Sequence, residues 1–192
     1  MTLSVYLAGP EVFLPDGAFV LEAKRQVLRD HGLAPVSPPA DLDPLLEGSP
    51  RSRGMEISRR NEELVAAADI CLANLTPFRG ASADAGTVYE LGYAAGLNKH
   101  VAAYSNDPRE YRARVADQLP DQEDLSFREG KLWGSDGVMV EDHGMSDNLM
   151  LEGGVALRSG VMMIAEMQPN DPARDLETYV RAVRQLADQL VI

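Results

Sequence analysis

Short apolar runs alternating with segments of helical spacing constrain the fold of this chain more than any other feature. Leu3–Ala8, Leu33–Val36, Asp69–Leu75 and Lys99–Tyr104 read as strands. Their near-continuous apolar character marks strands buried on both faces, as in a parallel sheet. Phe19–Arg29, Arg53–Ala68 and Asp84–Leu97 carry apolar residues at helical intervals, with Val20, Ala23, Val27 and Leu28 inward on the first and Ile57, Leu64 and Val65 on the second. Gly9-Pro10 ends the first strand, and His31-Gly32 stops the first helix. This alternation predicts an α/β chain with a doubly wound, mostly parallel sheet of about five strands and helices on both faces.

The remainder is looser. Ser37–Pro50 reads as a Pro-rich loop, and Asp107–Gln118 as a helix with Pro108 in its first turn. Residues 118–137 mix Pro, Gly and charge and are expected to form an exposed excursion, either a solvated loop or a lid. Val138-Met-Val is expected to belong to a fifth strand. Leu176, Tyr179, Val180, Val183, Leu186 and Leu190 make the apolar stripe of a closing amphipathic helix within 170–192. No internal repeat is visible, and a chain of 192 residues is expected to form one domain over 1–192.

Charge narrows the partners. Eighteen Lys+Arg against thirty Asp+Glu give a net charge of −12, which argues against a nucleic-acid backbone and against an anionic membrane surface. No apolar run approaches the roughly 18 residues of a membrane span, and the amino terminus lacks the pattern of a signal peptide. One cysteine, Cys71, fits a buried strand thiol in a reducing cytoplasm. The expected partner is a small molecule or a second copy of the chain. Glycine-rich dinucleotide and phosphate loops are absent, as is a nucleophile elbow. His31, His100 and His143 are isolated in predicted turns and show no metal-ligand spacing, so no metal site is predicted.

An open doubly wound sheet binds ligands beyond the carboxyl ends of its strands, here the loops after Ala8, Val36, Leu75 and Tyr104. The most informative stretch adjoins that edge. Across Ala85–Asn98 the only carboxylate is Glu90, with Gly86 and Thr87 one turn before it and Tyr93 and Ala94 one turn after. Gly86, Gly92 and Gly96 each cost up to about 1 kcal/mol of helix stability, which points to close packing or ligand access. Two readings of Glu90 stand. Thr87-Val-Tyr-Glu90 fits a capping box, which requires the helix to start at Thr87. A catalytic Glu90 belongs in the second turn instead. Asp84 either favours the helix dipole or joins Glu90 as a second working carboxylate. Tyr6 sits in the first strand, either in the core or with its phenol turned into the site. Gly9 and Phe13 stand in the first loop.

Val5-Tyr-Leu-Ala-Gly-Pro-Glu-Val-Phe, Ala68-Asp-Ile-Cys-Leu-Ala-Asn-Leu-Thr-Pro-Phe-Arg-Gly, Asp84-Ala-Gly-Thr-Val-Tyr-Glu-Leu-Gly-Tyr-Ala and Asp147-Asn-Leu-Met-Leu occur in order over about residues 3–152. Together they resemble the nucleoside 2-deoxyribosyltransferase family. The resemblance implies a flavodoxin-like fold, a homo-oligomer and cleavage of the N-glycosidic bond of 2′-deoxynucleosides, with transfer to a free nucleobase and no cofactor. It implies that Glu90 is the nucleophile, that Tyr6 hydrogen-bonds it and that Asp84 contacts substrate. It places Gly9, Phe13, Asn61 and Gly86 in the binding pocket. Asn148 and Met150 are implied to complete the site of a neighbouring subunit. Asn61 falls where some members carry an aspartate, so the proton for the leaving base would come from Asp84 or water. The alternatives are a hydrolase of deoxynucleosides or deoxynucleotides, and a non-catalytic nucleotide-sensing module.

Overall fold

Successive residues of a strand face opposite sides of a sheet, and β1 (Ser4–Ala8) shows the consequence. Val5 and Leu7 enter one hydrophobic layer, while Tyr6 and Ala8 enter the other. The computed structural model describes residues 2–38, 47–119 and 125–190. Residues 39–46 of the predicted Pro-rich loop, 120–124 of the predicted excursion and 191–192 lie outside the described residues.

A short 3-10 turn (Pro10–Phe13) and α1 (Gly17–Asp30) follow β1, then β2 (Ala34–Val36), α2 (Pro50–Ala67), β3 (Ile70–Asn74), α3 (Ala85–Gly96) and β4 (His100–Ser105). Next come α4 (Tyr111–Gln118), β5 (Ser126–Arg128), β6 (Lys131–Trp133), β7 (Met139–Val140), α5 (Leu149–Ala156), β8 (Val161–Ile164) and α6 (Glu177–Gln189). The main sheet has the order β2-β1-β3-β4-β8, and every pairing in it is parallel. With β8 as fifth strand this is the flavodoxin-like order, whose ligand crevice opens at the β1/β3 switch point. Helices α1 and α6 cover the Val5 face, and α2, α3 and α5 cover the Tyr6 face. Tyr104, Tyr179 and Leu28 are fully buried in the first layer, and Cys71, Val65 and Val155 in the second. No helix among the described residues is long and apolar enough to cross a membrane.

Three expectations need correction. The fifth strand is Val161–Ile164, not Val138–Val140. Met139–Val140 pairs antiparallel with β6 in a separate three-stranded sheet. That sheet starts with a hairpin at Glu129-Gly130, where φ values of 51° and 75° give the two left-handed residues a tight turn requires. Helix α4 starts at Tyr111 rather than Asp107, because Asp107 Oδ1 accepts from the backbone N of Arg109 at 3.0 Å and holds a turn there. Helix α2 starts three residues before Arg53. Ser49 caps it by accepting from the N of Ser52 at 3.2 Å, and Pro50 occupies its first turn.

Candidate active site

Helix α3 begins at Ala85, with Asp84 as its cap: Asp84 Oδ2 accepts from the N of Thr87 at 2.9 Å and from Thr87 Oγ1 at 3.1 Å. Glu90 therefore lies in the second turn, and the capping-box reading fails. The Glu90 carboxylate bonds outward instead. Tyr6 Oη donates to Glu90 Oε1 at 2.6 Å, and Asn61 Nδ2 donates to the same oxygen at 3.3 Å. Among the described residues no donor reaches Oε2. Strand parity explains the first contact, since Tyr6 faces the layer that α3 covers.

Tyr6, Gly9, Phe13, Asn61, Asp84, Gly86 and Glu90 line one cavity of about 310 Å³, within the size range of small-ligand sites. Its apolar wall adds Leu7, Val12, Leu21 and Ile57. Ile57 stands one turn before Asn61 on α2, so the inward stripe of that helix carries the signal for it; Val12 and Leu21 have no comparable mark in the sequence. On the far side of Glu90 a second cavity of about 350 Å³ opens between α2 and α3, sharing Ile57, Asn61, Gly86 and Glu90. A larger cavity of about 550 Å³ lies between β8 and α6. It opens beside the exposed Met167, and both of its arginines are paired, Arg174 with Asp171 at 2.9 Å and Arg181 with Glu166 at 2.8 Å.

Burial pushes the Glu90 carboxyl up from 4.5 to about 7; the Tyr6 and Asn61 hydrogen bonds pull it back, and the Asp84 charge raises it further. Burial, then the Glu90 charge, pushes the Tyr6 phenol far above its ordinary value, so Tyr6 stays protonated as a donor. Cys71 lies beside Tyr6 in the β1–β3 register, and burial raises its thiol well out of the reactive range. A desolvated carboxylate in a cavity wall, with one oxygen held and the other without a donor among the described residues, is suited to nucleophilic attack.

A buried clasp fixes the loop that leads into α3. Asp147 accepts from the N of Ala83 at 3.0 Å and from the N of Asn148 at 2.7 Å. Arg114, also buried, donates to the carbonyls of Ala81 at 2.8 Å and Arg109 at 2.6 Å. Asn148 caps α5 by accepting from the N of Met150 at 3.0 Å, and its Nδ2 donates to Glu141 at 2.8 Å. Met150 is 70% exposed. Neither residue enters the Glu90 cavity of its own chain. Gly92 and Gly96 also depart from expectation. Nothing lies within 4 Å of a Cβ built on either, so neither close packing nor this cavity within the chain explains them.

The model of the family described as nucleoside 2-deoxyribosyltransferase matches residues 5–150. A 2-deoxyribosyltransferase from Leishmania mexicana superposes with a TM-score of 0.61 at 26% identity, over 95% of this chain and 97% of that one. An uncharacterized protein of Schizosaccharomyces pombe is 27% identical over 83% of this chain and 80% of its own. A conserved protein from Enterococcus faecalis shares the fold, with a TM-score of 0.54 at 19% identity over 97% and 99% of the two chains. The matched span runs from the strand bearing Tyr6, through the helix bearing Glu90, to the cap of α5, and on it this chain belongs to the nucleoside 2-deoxyribosyltransferase family.

Proposed function

We propose that the chain transfers the deoxyribosyl group of a 2′-deoxynucleoside to another nucleobase through a covalent intermediate on Glu90. The observation that carries this reading is the asymmetry of the Glu90 carboxylate in the cavity wall: Oε1 is held by Tyr6 and Asn61, and no donor among the described residues reaches Oε2. Glu90 Oε2 attacks C1′ as the glycosidic bond breaks, and the bonding pair leaves with the base nitrogen, which takes a proton from Asp84 or water. A second base then attacks C1′, the Glu90–C1′ bond breaks, and the incoming nitrogen loses its proton. Two inversions give net retention through an oxocarbenium-like transition state. The Tyr6 bond orients the carboxylate and spreads its charge when it departs. Phe13 offers a face to the flat base.

Transfer requires that water be kept from the ester. Asn148 and the exposed Met150 stand outside their own cavity, and we propose that they complete the site of a second copy. A base-exchange assay with deoxyinosine as donor and adenine as acceptor tests the reading. Deoxyadenosine is the expected product, and its formation should depend on adenine. Free deoxyribose at an adenine-independent rate would select hydrolysis, and tight binding without base release would select a sensing module.

A further inference from the structure

The first loop turns on a buried glutamate that the chemistry above does not use. Glu11 lies in the 3-10 turn between Gly9 and Phe13, both cavity residues, yet is itself only 3% exposed. Its Oε1 accepts from Lys24 Nζ, and from Asn74 Nδ2 at 2.6 Å. Lys24 is buried on α1 and also bonds Tyr104 Oη, while its carbonyl accepts from Tyr179 Oη at 2.9 Å. The surrounding chain is shaped to this carboxylate. A Cβ on Gly9 would stand 2.0 Å from Glu11 Oε2, and one on Gly17 would stand 2.1 Å from the Glu11 carbonyl. Burial alone would raise the Glu11 carboxyl, but the Lys24 charge and the bonds from Lys24 and Asn74 hold it below its ordinary value.

A buried ion pair is a poor source of stability, because desolvation offsets most of its attraction. Its use lies in fixing one arrangement among several. Here four elements meet at the pair: the turn through Glu11, α1 through Lys24, β3 through Asn74 and β4 through Tyr104. We propose that Glu11 and Lys24 are positioning residues that lock the Pro10–Phe13 turn to the sheet and so set where Gly9 and Phe13 stand in the substrate cavity. The proposal rests on the cavity being the nucleoside site, and it predicts that losing the pair weakens substrate binding more than it slows bond cleavage.

The test is the double variant Glu11→Gln with Lys24→Met, which leaves no unpaired buried charge and keeps an acceptor for Asn74. Two backbone amides report the turn directly: Leu14 N donates to the Glu11 carbonyl at 3.0 Å, and Gly17 N to the Leu14 carbonyl at 3.0 Å. Hydrogen exchange at these amides should quicken at least about tenfold while the β1 amides stay protected. KM for the deoxynucleoside should rise at least about tenfold, with the single-turnover cleavage rate at saturating donor changed less than about threefold. Unchanged exchange at Leu14 and Gly17, or faster exchange with unchanged KM, overturns the proposal. Should the double variant not fold, Asn74→Ala, which removes one bond to Glu11 and leaves the ion pair intact, must show the same split at smaller size. A native protein that turns over no nucleoside would end the functional reading while leaving exchange to judge the lock by itself.

Discussion

Glu90→Gln is expected to lower base exchange by at least about 10⁴-fold, the scale on which loss of a covalent nucleophile is felt, while the protein becomes more stable near pH 8. Both effects come from one cause. The folded protein holds Glu90 at about 7 against an ordinary 4.5, so its ionised form is disfavoured in the fold. A carboxyl whose folded value is raised costs no stability below pH 4.5. Between 4.5 and 7 the native state binds more protons than the unfolded one, so stability falls as pH rises. The full penalty is present above about 7. Removing the charge should therefore recover roughly 1–3 kcal/mol at pH 8, after allowance for the partial exposure of Glu90, and raise Tm by roughly 3–10 °C. At pH 4.5 the two melting curves should converge. A Glu90→Gln protein that melts lower at pH 8, or that exchanges bases near the native rate, is incompatible with a desolvated nucleophile.

The second large effect is the pH dependence of the native enzyme. In the proposed mechanism attack at C1′ requires the carboxylate, so kcat/KM should rise about tenfold per pH unit below 7 and level off above it, reporting the free enzyme. Tyr6→Phe removes a hydrogen bond that favours the ionised form. That change should move the midpoint upward and lower the plateau by roughly 10–100-fold, the range for a buried orienting bond to a charged group. A flat profile between pH 5 and 8, or a Tyr6→Phe profile displaced downward, would separate activity from Glu90 ionisation.

The sequence exposes some of these residues better than others, for physical reasons. Glu90 stands out because no other carboxylate occurs between Ala85 and Asn98, and its place in the second turn follows once Asp84 is known to cap α3. The parity of β1 allies Tyr6 with Ala8, yet which layer meets α3 depends on how the helices divide between the faces, and that is a property of the closed sheet. Strand β8 escapes detection because its centre is Met162-Met163, and methionine has a helix former's preference. Val138–Val140 misleads in the opposite sense. Its β-branched residues suit any strand, and the turns at Gly130 and Gly137 decide that it joins a small antiparallel sheet. Lys24 reads as one more polar residue on a helix; only the approach of the first loop and β4 shows that it is buried against Glu11 and Tyr104. The clasp of Arg114 and Asp147 is equally silent, since its partners lie 33 residues apart in the chain and meet only when α4 packs on the loop before Asp84.

The covalent intermediate is the centre of this account, and rapid quenching tests it most directly. The native protein is mixed with a deoxynucleoside in the absence of acceptor base, quenched in acid, digested and weighed peptide by peptide. A gain of one deoxyribosyl group on the peptide containing Glu90, formed as fast as base is released and discharged by added adenine, is the predicted result. Base release at full rate with that peptide unmodified at every time point, or with the sugar attached elsewhere, would contradict it.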